Sequence, residues 1–435
     1  MTQADKHASG GTTRRQFIRS SAMMAAAAAA ANYAAIAPRA HAAANDTLKV
    51  GLIGCGGRGG GAAINALSAD SNTRLVALAD AFPEPLNACL RNLKNSHVGD
   101  RVQVDPDHCF VGLDSYKGVI ETCDVVLMAS PPGFRPMHIE AAVAAGKHIF
   151  AEKPVAVDAP GIRRVLEACR KAKEKNLTVV SGLCYRYEFA KQETIKRIHD
   201  GEIGEITALQ TTYNTGALWH RGRNPNWTEM EYQIRNWYYF TWLSGDFNNE
   251  QHVHSLDKIA WAMKDEYPVK CVASGGRTVR TDPMYGNIYD HFNTVYEWKN
   301  GVRCFSSCRQ WANCANDVSD FCFGTKGVAA IQGHTITKHS GERWRHRGQG
   351  PDDMYQNEHN AMFAAIRNNE PINNGEYMCY STMMAIMARM SAYTGREITW
   401  EMAMNSQEDL SPKAYDLNAP APEVKIAIPG QTPFA

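Results

Sequence analysis

Two patterns of apolar residues divide the chain, and the first of them starts at Leu48. As far as Arg186, short apolar runs alternate with longer stretches of helical periodicity. This alternation predicts parallel strands joined by right-handed helical crossovers, and therefore a doubly wound α/β sheet. The predicted strands cover residues 48–53, 74–79, 124–129, 148–151 and 178–183, and the predicted helices cover residues 60–68, 83–93, 136–145 and 160–174.

After Phe189 the pattern becomes rich in strand-forming residues, with few helices between the strands. A helix over residues 190–200 comes first, and one more is predicted around residues 250–263. Consecutive strands without crossover helices predict a mostly antiparallel open sheet that is covered on one face. Two helices, over residues 354–368 and 377–394, close this α+β unit, and a polar tail follows. The predicted strands cover residues 206–213, 269–280, 291–298, 302–310, 319–323 and 327–332.

The composition fits a soluble globular protein of about two domains. At roughly 100–200 residues per domain, a chain of 435 residues leaves little room for a third. The hydrophobic share of 44% and the charged share of 21% exclude disordered and fibrous classes. A net charge of +1, from 46 basic and 45 acidic residues, gives no reason to expect binding to nucleic acid or to an anionic membrane.

The first 45 residues have the pattern of an export signal and are predicted to lie outside the fold. The segment Thr13-Arg14-Arg15-Gln16-Phe17-Ile18 precedes an alanine-rich apolar run, and Ala40-His41-Ala42 predicts cleavage after Ala42. The paired arginines and the residues after them favour a twin-arginine (Tat) signal over an ordinary secretory signal. The apolar run is too short for stable membrane insertion. We therefore expect the Tat machinery to export the folded protein to the periplasm.

The twelve cysteines are dispersed and include no C-x-x-C pair. The nearest group, Cys304, Cys308, Cys314 and Cys322, has spacings that match no zinc site. Several cysteines fall in apolar strands, where a free thiol behaves as a small hydrophobic side chain. Core thiols are therefore favoured, and one or two disulfides are the alternative for an exported protein.

A glycine-rich turn follows the first predicted strand and leads directly into a helix. Residues 54–59 read Gly-Cys-Gly-Gly-Arg-Gly, which is the G-x-G-x-x-G pattern in the strand–turn–helix context that dinucleotide binding requires. Gly54 permits the tight turn, Gly56 lets the backbone approach a pyrophosphate, and Gly59 packs the helix on the strand. Gly57 belongs to the same turn, at a helix N-terminus that faces the phosphates. A Rossmann dinucleotide-binding domain is therefore predicted over residues 46–186.

Two charged residues bear on which nicotinamide cofactor is bound. Asp80 ends the second predicted strand, where a ribose-binding acid belongs. Its carboxylate would accept hydrogen bonds from the ribose hydroxyls and repel a 2′-phosphate, which favours NAD over NADP. Arg58 is a candidate phosphate contact and is the one argument for NADP.

Polar residues follow two further strands at the edge of the sheet where ligands bind in open α/β folds. Ser130 and Pro131 follow the strand over residues 124–129, and His138 lies on the next helix. The motif Glu152-Lys153-Pro154 follows the next strand, so Glu152 and Lys153 are candidate cofactor contacts and Lys153 is placed to meet the nicotinamide. The alternative is that Lys153 is an ordinary solvated loop lysine. Glu152 before it and Pro154 after it make this alternative less favoured.

The segment over residues 250–257 combines acidic and imidazole side chains. Glu250, His254 and Asp257 stand at i, i+4 and i+7, so that on a single helix all three would share one face. Histidine is the usual general base near neutral pH, and this face is therefore a candidate catalytic site. His252 points off this face, and a local hydrogen-bonding role is weighed equally with substrate contact. A metal site is less favoured, because nothing else in the sequence completes its ligand set.

Together these motifs resemble the Gfo/Idh/MocA oxidoreductases, the family of glucose–fructose oxidoreductase and inositol dehydrogenase. The glycine turn, Glu152-Lys153-Pro154, Tyr185-Arg186-Tyr187 and the segment over residues 250–257 occur in order within about residues 48–400. The resemblance implies NAD(P), to whose site Arg186 is expected to contribute, and oxidation of one hydroxyl of a sugar, cyclitol or related diol. It assigns the catalytic roles to Lys153 and His254.

The implied mechanism gives each residue of this group a role. Lys153 hydrogen-bonds the reacting hydroxyl, His254 accepts its proton, and Glu250 or Asp257 orients the imidazole. The family often has Asp where Glu250 stands and a small residue where His252 stands, which leaves the substrate open. Residues 187–405 are expected to bind substrate and to form a homo-oligomer, and residues 406–435 to form a tail.

An aromatic- and arginine-rich segment over residues 213–239 is a candidate sugar site, with a protein interface as the equal alternative. Its substrate candidates are Tyr213, Trp219 and Arg221. Free NAD is not expected outside the cytoplasm, so an exported enzyme must hold its cofactor tightly and regenerate it. Such an enzyme either couples two sugar substrates or, as an alternative function, cleaves glycosides through transient oxidation. A non-catalytic sugar sensor is the remaining alternative.

Overall fold

A parallel six-stranded sheet forms the first half of the protein. The computed structural model describes residues 46–348 and 350–435, so the predicted export signal lies outside the described residues. The strand order is β3-β2-β1-β4-β5-β6, which confirms the predicted doubly wound sheet. The order reverses between β1 and β4, and this reversal opens a crevice at the carboxyl ends of the strands. The strands are β1 (Leu48–Ile53), β2 (Thr73–Asp80), β3 (Cys109–Val111), β4 (Val125–Met128), β5 (His148–Ala151) and β6 (Val179–Ser181).

Helices connect these strands, and most begin within a few residues of their predicted start. The Asp158 carboxylate caps α5 by accepting a hydrogen bond from the backbone nitrogen of Gly161 at 2.8 Å. Strand β3 and helix α3 were not predicted, because a strand of three residues and a helix of seven are too short to show a clear period. The helices are α1 (Gly57–Ala69), α2 (Pro83–Lys94), α3 (Tyr116–Thr122), α4 (Arg135–Ala144) and α5 (Ala159–Glu174).

A nine-stranded sheet forms the second half, in the order β14-β13-β12-β11-β7-β10-β9-β8-β15. Its neighbouring strands are antiparallel except for β7 and β10, which are parallel. The prediction of a mostly antiparallel sheet is therefore confirmed. Its strands are β7 (Ile206–Thr215), β8 (Lys270–Gly276), β9 (His291–Glu297), β10 (Arg303–Gln310), β11 (Asp317–Gly324), β12 (Gly327–Ala330), β13 (Thr335–Lys338), β14 (Arg343–Arg345) and β15 (Ile398–Thr399).

The helices of the second half differ from the prediction in one place that matters for the site. The single helix expected around residues 250–263 is interrupted, because α9 ends at Glu250 and α10 begins at Val253. Between them His252 is fully buried, and its Nε2 contacts Ser306 Oγ of β10 at 2.7 Å. The helices are α6 (Phe189–His199), α7 (Glu229–Arg235), α8 (Thr241–Ser244), α9 (Phe247–Glu250), α10 (Val253–Ala262), α11 (Met354–Asn368), α12 (Gly375–Thr394) and α13 (Trp400–Asn405).

Helix α12 lies in the core that joins the two sheets. It is buried on nearly every side, as a helix with apolar residues all round must be, and it packs against α5, α10 and β8. The tail after α13 crosses both halves: Leu410 donates its backbone N–H to Asp158, and Ala427 accepts a hydrogen bond from Tyr289. None of the described helices is long and apolar enough to cross a membrane.

Candidate active site

The glycine turn between β1 and α1 has the geometry that close backbone packing requires. Gly54 has a φ of +95°, and a Cβ at this position would lie 2.5 Å from the backbone nitrogen of Ser130. A Cβ at Gly59 would lie 1.9 Å from the carbonyl oxygen of Gly54, so only glycine lets α1 approach the strand. A Cβ at Gly56 would meet nothing within 4 Å. The turn is therefore closed on its inner side and open where Gly56 faces the crevice.

A cavity of about 880 Å³ extends from this turn along the carboxyl ends of β1, β2 and β4. Gly54, Gly56 and Gly57 line it at the N-terminus of α1, where backbone N–H groups and the helix dipole favour phosphate. Its volume lies within the range of small-molecule and cofactor sites. The open space at Gly56 thus fits the pyrophosphate of a dinucleotide. The other predicted cofactor residues that line the cavity are Asp80, Ser130, Pro131 and His138.

Asp80 stands at the end of β2 and is tied to the glycine turn. Its carboxylate accepts hydrogen bonds from the backbone nitrogens of Cys55 at 2.8 Å and Phe82 at 3.0 Å. Burial raises the pKa of Asp80, and these backbone hydrogen bonds and the charge of Arg235 oppose that rise. Each carboxylate oxygen retains a second acceptor position for a ribose hydroxyl.

His138 and Ser130 form a neutral pair on the opposite side of the cavity. The Ser130 hydroxyl lies 3.1 Å from His138 Nδ1, and both side chains are buried. Burial, followed by the charge of Arg135, lowers the pKa of His138 to about 3. The imidazole is therefore uncharged at neutral pH and contributes hydrogen-bonding groups to the cavity.

Lys153 and Glu250 meet where the two halves of the protein come together. Lys153 Nζ donates hydrogen bonds to the backbone carbonyl of Glu250 at 2.6 Å and to its Oε1 at 3.0 Å. Each side chain is 14% exposed, so the pair is mostly buried but still reachable. An ammonium group has three N–H donors, and the third remains for a ligand.

His254 lies close to this pair, on the first turn of α10. Burial, then the charges of Lys153 and Lys258, lower the pKa of His254 well below its ordinary value of 6.5. Its Nδ1 has no hydrogen-bond partner among the described residues, and the ring meets Tyr185 edge-on at a centroid distance of 5.1 Å. The imidazole is thus uncharged at neutral pH, and its Nδ1 has a hydrogen-bonding position that no described residue occupies.

Asp257 is hydrogen-bonded to Arg186 and Ser381 rather than to His254, which corrects the expectation that it could orient the imidazole. Its carboxylate accepts hydrogen bonds from the Arg186 guanidinium at 2.8–3.0 Å and from the Ser381 hydroxyl at 2.8 Å. Arg186 also pairs with Asp265 and lies 4.0 Å from the centroid of the Tyr377 ring. Arg186 is likewise absent from the lining of the nucleotide cavity in the described structure. The interruption before Val253 separates Glu250 from α10, and Asp257, which shares α10 with His254, forms a buried ion pair with Arg186.

Arg58 also differs from the expectation, because its guanidinium turns away from the phosphate position. It pairs with Glu152 and, at 2.9 Å, with Glu358 of α11, and it lies 4.5 Å from the centroid of the Tyr355 ring. Burial would raise the pKa of Glu152, but the charges of Arg58, Lys153 and Arg135 lower it overall. Glu152 therefore interacts with the charges of both Lys153 and Arg58. Because Arg58 is paired with Glu152 and Glu358, it gives no structural reason to expect NADP.

The predicted substrate residues fall into two groups, Tyr213 with His252 and Trp219 with Arg221. Tyr213, at the end of β7, is half-buried, and the charge of Glu250 adds to the burial that raises its pKa to about 12. His252 is fully buried in the described structure. Of the two roles considered for it, local hydrogen bonding fits this position and direct substrate contact does not. Trp219 is 41% exposed and packs beside Trp237. Arg221 lines the nucleotide cavity rather than the space beside Lys153.

Comparison with known proteins identifies the fold and the cofactor. Residues 48–181 match the Gfo/Idh/MocA group, described as an oxidoreductase family with an NAD-binding Rossmann fold. Inositol 2-dehydrogenase of Rhizobium meliloti (strain 1021) is 26% identical over 288 residues, which cover 66% of this chain and 76% of the relative.

The chain is an oxidoreductase, and its residues 48–181 match the NAD-binding Rossmann fold of the Gfo/Idh/MocA family.

Two solved structures share the fold of this oxidoreductase. Scyllo-inositol dehydrogenase from Lactobacillus casei, with bound NAD(H) and scyllo-inositol, aligns with a TM-score of 0.62 at 20% identity, over 81% of this chain and 99% of that one. Aldose-aldose oxidoreductase from Caulobacter crescentus, complexed with glycerol, aligns with a TM-score of 0.61 at 18% identity over the same shares.

Several residues of the site could not be predicted from the sequence of this oxidoreductase. Glu358 reaches Arg58 across 300 positions of the chain. Arg135 lies buried beneath the Lys153 loop and donates to the carbonyl of Pro154. Tyr185 could be noticed in the sequence only because it belongs to the motif Tyr185-Arg186-Tyr187. Among the described residues, no group of three or more His, Cys, Asp or Glu side chains is placed to hold a metal ion.

Proposed function

We propose that this oxidoreductase oxidises a secondary alcohol of a sugar or cyclitol, with Lys153 and His254 as its catalytic residues. The observation that carries the proposal is the placement of Lys153, Glu250 and His254. The Lys153 ammonium, with a free donor, follows β5, the neighbour of the strand β4 that borders the NAD cavity, and its charge acts on the neutral imidazole of His254. This pair supplies one donor and one acceptor to the same hydroxyl group.

The mechanism assigns one task to each side chain. Bound NAD supplies the acceptor for the hydride that leaves the carbinol carbon. Lys153 hydrogen-bonds the reacting hydroxyl and stabilises the negative charge that develops on its oxygen. His254 is assigned as the acceptor of the hydroxyl proton, and its lowered pKa means that it is unprotonated at neutral pH before the reaction. Glu250 holds the Lys153 ammonium in place.

The relatives support a polyhydroxylated ring as the substrate. Several of them are inositol 2-dehydrogenases. They favour dehydrogenation over glycoside cleavage and over a non-catalytic sensor role. Tyr213 offers an aromatic face and a hydroxyl beside Glu250, which suits a ring that carries several hydroxyl groups.

Export by the Tat route to the periplasm, with cleavage after Ala42, is part of the proposal. It is supported by the Arg14-Arg15 pair and by the cleavage pattern at Ala40-His41-Ala42. The Tat machinery would then be a transient partner of the folded, NAD-loaded enzyme. Because free NAD is not expected there, the enzyme would regenerate its cofactor by reducing a second substrate.

A homo-oligomer that uses the outer face of the nine-stranded sheet is also proposed. Val272, Val295 and Phe305 are 52%, 37% and 52% exposed, and they are neighbours in register on β8, β9 and β10. A row of apolar side chains across adjacent strands is typical of a surface that another chain covers. Light scattering of wild type and of Phe305→Lys would test this, and a monomeric wild type would contradict it.

The decisive experiment is to identify the nucleotide and then the substrate. Protein purified from the periplasmic fraction is denatured, and the released nucleotide is identified by mass spectrometry. NAD in stoichiometric amount is expected. NADH formation is then followed with inositols, aldoses and their methyl glycosides, and Lys153→Ala should slow it by roughly 10²–10⁴-fold. If no polyol reduces bound NAD in the wild type, although NAD is present, the proposed function is wrong.

A further inference from the structure

Four residues from the second half of the chain line the same cavity as the glycine turn. They are Arg221, Ile234, Arg235 and Trp237, and they surround the space near Asp80 and Phe82. In a Rossmann domain the pyrophosphate lies on the first turn and the adenosine ribose lies at the acid that ends the second strand. Lys153, Glu250 and His254 are not among the described lining residues. The four residues therefore border the adenosine part of the cofactor site, not the reacting part.

Arg235 makes the closest connection between the two halves at this end. Its guanidinium carbon lies 3.7 Å from the centroid of the Phe82 ring and 4.8 Å from that of Trp227. Its nitrogens pair with Glu231 at 2.8 Å and reach Glu84, at the start of α2, at 3.4 Å. The side chain is 13% exposed, and its charge acts on Asp80. Arg235 thus spans from α7 to the loop that holds the ribose-binding acid.

The tail and a neighbouring helix hold α7 from the side away from the cavity. Thr228 donates its hydroxyl to the carbonyl of Leu417 at 2.6 Å, and Gln233 donates to the carbonyl of Pro422 at 3.2 Å. Gln233 also accepts a hydrogen bond from the indole nitrogen of Trp242 at 2.7 Å. Because these contacts join α7 to two other parts of the chain, its movement away from Phe82 would break several interactions at once.

We propose that residues 219–237 form a fixed outer wall of the adenosine site and that Arg235 retains NAD through successive turnovers. The wall encloses the part of the dinucleotide that does not react, so it slows dissociation without entering the chemistry. Differences in affinity arise mostly in dissociation rates, and contacts that must break before release act directly on those rates. The proposal rests on NAD binding and is independent of which alcohol is oxidised.

The test measures release of the cofactor itself. Mature protein, residues 43–435, is loaded with NADH and mixed with a large excess of NAD, and the loss of bound NADH fluorescence gives the dissociation rate. Arg235→Ala should raise this rate by at least about tenfold.

Arg223→Ala is the matched control. Arg223 belongs to the same segment, pairs with Glu229 and lies over the Tyr232 ring at 4.2 Å, but it is 57% exposed and does not line the cavity. Its release rate should match that of the wild type. Arg235→Lys, which keeps the charge but loses the planar contact with Phe82, provides a second variant if Arg235→Ala does not fold. Release at the wild-type rate from a folded Arg235 variant would overturn the proposal, whatever the result of the substrate experiment.

Discussion

The Lys153 ammonium and Glu250 are joined by two hydrogen bonds, one to the backbone carbonyl at 2.6 Å and one to the carboxylate at 3.0 Å. Lys153 follows the fifth strand of the parallel sheet, and Glu250 ends a short helix of the second half. The contact therefore fixes the position of the ammonium with groups from both halves of the chain. It also leaves one N–H donor for the substrate.

Removal of the Lys153 ammonium should affect catalysis far more than cofactor binding. Lys153→Ala is expected to lower kcat by roughly 10²–10⁴-fold, because charge that develops on the hydroxyl oxygen is no longer stabilised. The dissociation constant for NAD should change little, since the lysine lies outside the lining of the nucleotide cavity in the described structure. Steady-state kinetics and NADH fluorescence titration measure the two quantities. Near-normal turnover would mean that Lys153 is not a catalytic residue.

Two glycines of the same turn should respond differently to an added methyl group. Gly59→Ala places a Cβ at 1.9 Å from the Gly54 carbonyl, so we expect a loss of about 1–3 kcal/mol in the free energy of unfolding without NAD. Gly56→Ala meets nothing within 4 Å, so the stability without NAD should be retained while NAD affinity falls. Chemical denaturation without NAD, together with NADH titration, separates the two effects. Equal stability losses would contradict the assignment of Gly56 to the ligand side.

The sequence predicts those parts of the site that are local in the chain. The glycine turn and the Lys153 loop each follow a strand with a clear period, so their position at the sheet edge could be predicted. The partners of Arg58 and Asp257 could not be predicted in this way. Glu358 is 300 residues from Arg58, and Arg186 is 71 residues from Asp257, so both pairs depend on how distant elements pack.

No clear feature of the sequence predicted the interruption of the helix before Val253 either. Helical spacing from Glu250 to Asp257 assumes one continuous helix, whereas burial of His252 against Ser306 favours a break at that point. The spacing argument therefore put Glu250 on the same helix as His254, and it could not predict the pairing of Asp257 with Arg186.

Asp257 should prove structural when it is neutralised. Asp257→Asn removes one partner of a buried ion pair, in which the side chains are 1% and 9% exposed, and such changes cost about 3–5 kcal/mol. The turnover of the protein that remains folded should stay near that of the wild type. Asp265→Asn is the matched control, because this second partner of Arg186 is 42% exposed and its loss should cost at most about 1 kcal/mol. A large loss of kcat at unchanged stability would instead mean that Asp257 has a catalytic role.

The thiols should remain almost wholly unreactive in the folded protein. All twelve cysteines are free in the described structure, ten are buried, and Cys314 is exposed. Burial raises the pKa of Cys123 and Cys169 to about 12, which removes the reactive thiolate. Native titration with Ellman's reagent should show rapid reaction of Cys314 and slower, partial reaction of Cys109. The remaining thiols should react only after unfolding, and fewer than twelve in total would indicate a disulfide.

The buried His252 should make stability fall as the solution becomes acidic. Burial, and then the charge of Lys258, lower its pKa from 6.5 to about 3. Below 6.5 the unfolded chain binds a proton at this position that the folded protein does not bind. The corresponding stability is therefore complete above pH 6.5 and is lost progressively as the pH falls towards about 3. Over the acidic part of this window one such histidine contributes up to about 1.4 kcal/mol per pH unit.

His252→Gln isolates this contribution, because the glutamine amide can still reach Ser306 while it cannot titrate. Urea denaturation at about pH 5 and about pH 6 gives the change in the free energy of unfolding per pH unit for each protein. The wild type should lose stability between these values more steeply than the variant, by roughly the contribution of one proton. Other groups titrate in both proteins and cancel in the difference. Equal slopes would mean that His252 becomes protonated in the folded state, and that its burial is less complete than its contact with β10 indicates.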